Sequence, residues 1–264
     1  MLRIRHLSKI FFKGSVNENL ALKNINLTVP HNDFVTIIGS NGAGKTTLLN
    51  LISGVFFPEK GKIKINGMDV TNLPAYKRAS FIGRVFQSPL QGTASSLTLE
   101  ENLAIAALRG KKKGLRLAVT RKRREEFREK LRILGLGLEN RLQERVGLLS
   151  GGQRQALTIF MAVLTKPQLL LLDEHTASLD PKTARRIISL TKRIVAESDL
   201  TTLMVTHNME QALEFGNRTI MMEEGKIIFD VSGEEKKKMS VKDLLEKFSQ
   251  IKKRELVEDK MLLI

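Results

Sequence analysis

The sequence predicts an α/β fold on a mostly parallel sheet, with an antiparallel β subdomain near the start and an inserted helical subdomain in the middle. Three observations carry this expectation. The short apolar runs Asp33–Ile38, Gln168–Asp173 and Thr201–Thr206 read as strands buried on both faces. A glycine-rich loop follows the first run and leads into a helical pattern. Between about 89 and 165, strand-like runs give way to helical ones.

Each element can be justified in turn. Leu2, Ile4 and His6 alternate with Arg3 and Arg5, and Leu22, Ile25, Leu27 and Val29 mark a second extended stretch. The strand Asp33–Ile38 ends at Gly39, and Lys45 to Ser53 reads as a helix. Lys62–Ile65 is a strand that closes on the tight-turn pair Asn66-Gly67. Thr98-Leu-Glu-Glu101 has capping-box spacing and opens the helical stretch Asn102–Leu108. Helix is expected to continue through the basic stretch and Glu125–Leu134, interrupted at Gly110 and Gly114. A further helix runs from Ser150 through Leu157, Ile159, Met161 and Leu164, and stops before Pro167. Asp180 and Pro181 suit the N-cap and first residue of a helix reaching Ala196. Met209–Phe215 is a short helix, and Arg218–Val231 reads as two strands joined at Glu224-Gly225. From Ser240 onward the pattern is a charged amphipathic helix. The expected organisation is one α/β domain over 1–235, with its helical portion at about 89–165, and a C-terminal helical extension over 236–264.

The chain has 264 residues, with 44 Lys+Arg against 28 Asp+Glu and a formal charge of +16. The absence of cysteine excludes disulfides, zinc-thiolate centres and thiol catalysis. No apolar run approaches the roughly 18 residues of a membrane span, and Met1–Ile10 lacks the apolar centre of a signal peptide. A soluble protein of the cytoplasmic compartment is expected. Arg109 to Arg124 holds nine basic residues and no acid, more than half of the net excess. This segment reads either as a solvated helical face or as a contact with an anionic inner leaflet. No nucleic acid is expected, because no aromatic interleaves these charges as a stacking platform requires.

The chemistry is concentrated in three strings. Gly39-Ser40-Asn41-Gly42-Ala43-Gly44-Lys45-Thr46 matches the phosphate loop G-x-x-x-x-G-K-[ST], so the sheet is expected to be a P-loop NTPase core. Its backbone N–H groups, at the positive end of a helix that Thr47 continues, would cradle phosphate. Lys45 would neutralise phosphate charge, and the Thr46 hydroxyl can ligate Mg²⁺. Leu169–Asp173 is an apolar strand ending in acids: Asp173 suits a Mg²⁺ ligand, and Glu174 can take a proton from attacking water. Leu149-Ser150-Gly151-Gly152-Gln153 precedes a helix and offers a second anion-binding helix start.

Occurring in this order, the strings resemble the nucleotide-binding subunit of ATP-binding-cassette (ABC) transporters over about residues 2–235. The resemblance implies ATP and Mg²⁺ as cofactors. It implies that Ser150, Gly151, Gly152 and Gln153 of one copy complete the ATP site of a second copy of this chain, head to tail. Ala177–Asp180 resembles the loop linking the two sites, His207 the histidine that bonds the γ-phosphate, and Gln87 the glutamine that senses Mg²⁺ and attacking water. Phe11 aligns with the aromatic that stacks on adenine, with Phe12 as the alternative. Two departures stand out: Phe11 where tyrosine is commoner, and His175 where proline is usual. Arg145–Gln155 and Asp173–Ala177 are similar to a bacterial importer group with a separate lipoprotein receptor. The implied partners are integral-membrane permease subunits and an extracytoplasmic substrate-binding protein, with this chain peripheral at the cytoplasmic face. The implied function is an ATPase powering import of a small solute such as an amino acid. The alternatives are an exporter ATPase and a soluble ABC ATPase acting on nucleic acid or ribosomes.

Overall fold

A computed structural model describes residues 1–111 and 117–250. Four antiparallel strands, β1 (Leu2–Phe11), β2 (Asn19–Val29), β4 (Lys60–Ile65) and β5 (Met68–Asp69), lie in the order β2-β1-β4-β5. The second sheet takes β3 (Phe34–Gly39), β6 (Ile82–Val85), β7 (Leu169–Asp173), β8 (Thr201–Val205), β9 (Arg218–Glu223) and β10 (Lys226–Ser232) in the order β10-β9-β3-β8-β7-β6. All its neighbours run parallel except the β9–β10 hairpin.

Alternation explains why β7 must lie between two layers. Leu169 and Leu171 face a core shared with β1, β2 and the helix α1 (Lys45–Ser53), whereas Leu170 and Leu172 face the helical side. All four are fully buried, and each contributes about 1.5–3 kcal/mol relative to an exposed leucine. A strand apolar on one face only could not fill this position. On the helical side lie α3 (Leu99–Ala107), α4 (Arg121–Leu131), α5 (Gly151–Val163) and α6 (Pro181–Ser198), whose buried Ile187, Leu190, Thr191, Ile194 and Val195 repeat at helical spacing. The described residues also include the short helices α2 (Ala75–Arg78), α7 (Met209–Glu214) and α8 (Gly233–Lys238), with helix again over 241–250.

Some local expectations need correction. His6 does not share the inner face with Leu2 and Ile4. Its φ is 50°, it is exposed, and the register with β2 shifts so that Leu7 takes the buried place. The interruption expected at Gly110 is present as a turn over Leu108–Gly110, but it is longer than expected. Residues 117–120 are not helical either, and α4 begins only at Arg121 behind the N-cap Thr120, runs to Leu131 and tightens into a 3₁₀ turn over Arg132–Leu134. Gly114 lies outside the described residues, as does the extension beyond 250. The capping box at Thr98 is present, and it starts α3 at Leu99, earlier than expected.

Candidate active site

Every expected cis residue beyond Phe11 sits at or just past the carboxyl end of a parallel strand, where open α/β sheets bind ligands. Gly39 ends β3, Asp173 ends β7, His207 follows β8 and Gln87 follows β6. The loop from Gly39 to Gly44 joins β3 directly to α1. Gly44 is required there: its φ is 94°, and a Cβ would lie 2.7 Å from the Ala21 carbonyl oxygen. The first turn of α1 carries no acidic residue, so its N–H groups and dipole remain available to an anion.

Lys45 is buried, and its Nζ donates to the carbonyls of Gly39 (2.9 Å) and Ser40 (2.7 Å). Burial pulls this ammonium below its ordinary pKa, while the carboxylates of Glu174, Asp173 and Glu223 pull the other way. Thr46 Oγ1 donates to Asp173 Oδ1 at 3.2 Å. Burial pushes the Asp173 carboxyl above the usual range, against the opposing effects of Arg84 and Thr46. Glu174 is the meeting point of three strand ends. Its Oε1 lies 2.5 Å from His207 Nε2, and its Oε2 accepts from Gln87 Nε2 at 3.2 Å. Its backbone N–H donates to the Val205 carbonyl, which ties it to β8.

The donor set fits Mg²⁺. Thr46 and Asp173 offer hard oxygens side by side, and this ion commonly takes one or two protein oxygens and completes its shell with water and substrate phosphate. The Gln87 amide bonds the neighbouring Glu174. Phe11 packs edge-on against Phe56, with ring centroids 5.2 Å apart, whereas Phe12 is 72% exposed in a left-handed conformation.

Ser150 and Gln153 form a capping box at the start of α5, each side chain bonded to the other's backbone N–H. Among the described residues, no hydrogen bond links this exposed helix start to Gly39–Thr47 of the same chain. Gly152 allows α5 to approach α6, since a Cβ would meet Thr183 Cγ2 at 2.4 Å. Asp180 Oδ1 accepts from Thr183 N at 3.0 Å and caps α6. These bonds with Thr183 hold its carboxyl below the usual range. His175 is buried, with Nε2 3.3 Å from Thr191 Oγ1.

Two residues were missed in the sequence. Glu223, at the end of β9, accepts from Ser40 Oγ at 2.5 Å. Arg84, in β6, reaches Asp173. A lone arginine in the short buried strand leading to Gln87, and an acid ending an apolar strand, were the available signals.

The ABC transporter family model matches residues 22–177. The tyrosine transport ATP-binding protein of Clostridioides difficile is 44% identical over 94% of this chain and 98% of its own length. A phosphonates import ATP-binding protein of Ruegeria is 35% identical over 87% of this chain and 88% of its own. A dimeric ATP-binding cassette solved in a post-hydrolysis state with ADP and Pi superposes with TM-score 0.75 at 31% identity, covering 88% of this chain and 98% of that one. The chain belongs to the ABC transporter family and is an ATP-hydrolysing, ATP-binding subunit.

Proposed function

We propose that this chain is the motor of an importer: two copies close head to tail on ATP and drive a separate integral-membrane permease supplied by an extracytoplasmic substrate-binding protein. The cargo is a small solute, an amino acid being the best-supported class given the relative named for tyrosine transport. No helix among the described residues is long and apolar enough to cross a membrane; in this reading the chain works against the permease from the cytoplasmic face, where ATP is supplied.

The observation that carries the mechanism is the Glu174 carboxylate, bonded between Gln87 and His207 one residue past Asp173. In the proposed site Gly39–Thr47 wraps the phosphates, Lys45 neutralises their charge and Phe11 stacks on adenine. Mg²⁺, when bound, neutralises charge on the β- and γ-phosphates. Thr46 and Asp173 would hold it, with Gln87 sensing it from the next strand end. Glu174 accepts the proton of attacking water. His207 orients Glu174 and bonds the γ-phosphate. Ser150, Gly151, Gly152 and Gln153 of the second copy close the site, with Asp180 between the two sites. In this reading, the capping box makes the Ser150 turn rigid before the second copy arrives.

Glu174→Gln tests the central role. The variant should bind ATP normally and lose roughly 10²- to 10⁴-fold in turnover, the usual contribution of a positioned base. It should also accumulate an ATP-bound dimer by gel filtration. Wild-type turnover in a folded Glu174→Gln protein would remove this residue from the mechanism.

A further inference from the structure

Arg84 lies in β6, between buried Gly83 and Val85, and its side chain is only 11% exposed. A guanidinium so placed is costly unless its partners hold it in a definite geometry. Nη1 donates to Ser53 Oγ at 2.9 Å, at the C-terminal end of α1. Nη2 donates to Asp173 Oδ2 at 3.4 Å. The group lies 4.6 Å from the Phe86 ring centroid, and Nε is buried without a partner. The two oxygens of Asp173 are therefore used differently: Oδ1 accepts from Thr46 in the first turn of α1, and Oδ2 from Arg84. The fork thus ties Asp173 to the C-terminal end of α1 at Ser53, while Asp173 itself bonds the first turn of α1 at Thr46. A lysine, a single donor point, could not bridge Ser53 and Asp173 in this way.

We propose that Arg84 is a positioning residue: anchored on Ser53, it holds Oδ2 of Asp173 so that Oδ1 faces Thr46 and the phosphate loop, and thereby sets how tightly the nucleotide site takes Mg²⁺. This rests on the reading that Asp173 and Thr46 hold the cation. A guanidinium also repels a cation, so the two effects oppose one another. Orientation wins because the carboxylate is buried and has few other donors to fix it. Partners of metal ligands typically contribute 10- to 100-fold in metal affinity.

The test is a Mg²⁺ titration of fluorescent ATP-analogue binding to the purified full chain, with affinity in EDTA as the internal reference. Arg84→Gln should raise the Mg²⁺ midpoint about 10- to 100-fold while leaving the EDTA affinity unchanged, and Arg84→Lys, which keeps the charge but cannot bridge Ser53 and Asp173, should raise it too. Ser53→Ala, which removes the anchor and leaves the charge, should move the midpoint in the same direction; it stands in if Arg84→Gln fails to fold. An unmoved or lowered midpoint in whichever variant folds overturns the proposal. Asp173→Asn in the same assay separates the two readings. If it leaves the midpoint in place, the assignment of the cation to Asp173 fails. If it shifts the midpoint and the Arg84 and Ser53 variants do not, only the role of Arg84 fails.

Discussion

Glu174 has φ 45°, in the left-handed region that residues with a side chain seldom occupy. Holding it there costs on the order of 1–3 kcal/mol, offset by the backbone bond to Val205 and the side-chain contacts with Gln87 and His207. Its neighbour His175 supports the turn differently. Burial pulls this imidazole from about 6.5 down to about 4, so it packs neutral against Thr191. The linkage has a definite sign. A depressed histidine contributes stability that is fully present above pH 6.5 and is lost as pH falls through about 4. That window is worth about 3 kcal/mol. A His175→Gln variant should therefore lose less stability than wild type between pH 7 and pH 4. Urea unfolding at both pH values measures this, and equal losses in the two proteins would show that protonation of His175 is not what the fold resists.

The helix α4 shows how little apolar surface can hold an element. Of its eleven residues, only Phe127 and Leu131 are buried, one turn apart on a face otherwise made of Arg, Lys and Glu. They pack into the core shared with α3 and α5, and Arg124 adds a two-pronged pair to Glu100 at 2.5 and 2.8 Å. Phe127→Ala should cost about 3–5 kcal/mol, as for other large core truncations. Hydrogen exchange should then quicken first in α4, while ATP-analogue binding persists because Phe127 packs in the helical-side core and Ala43 of the phosphate loop in the other. A uniform rise in exchange across α1 and β7 would show that the insertion does not loosen separately. The same contrast explains what could be read from sequence. The run Leu169–Asp173 carries strand and site together, because burial and acids occupy neighbouring positions. The Thr98 cap is equally local. The bulge at His6 is not, since it depends on Asn26 across the ladder, whose Oδ1 accepts from His6 N at 3.0 Å. Arg84 and Glu223 acquire partners only because β6 lies beside β7 and β9 beside β3, an order that no local pattern encodes.

Across the protein, the charge of +16 is less uniform in role than in sequence. Arg109 is drawn inward to the carbonyls of Met161 and Ala162 near the end of α5, and Arg124 is engaged by Glu100. Lys111, Arg121 and Lys122 remain exposed; Lys112, Lys113 and Arg116 lie outside the described residues. If the exposed cations meet an anionic leaflet while the subunit sits beneath its permease, each gains about 1 kcal/mol. Reversing Lys111, Arg121 and Lys122 to Glu changes the local sum by six charges without threatening α4. Acids in a first helical turn are favourable, and Thr120 still supplies the cap. The variant should hydrolyse ATP in solution at the wild-type rate, because these positions lie outside every residue assigned to the nucleotide site. Its cosedimentation with phosphatidylserine-containing vesicles should fall sharply at low salt. The gap from wild type should narrow as salt shortens the reach of the field below about 10 Å. Equal cosedimentation of the two proteins at low salt would leave this segment as a solvated face.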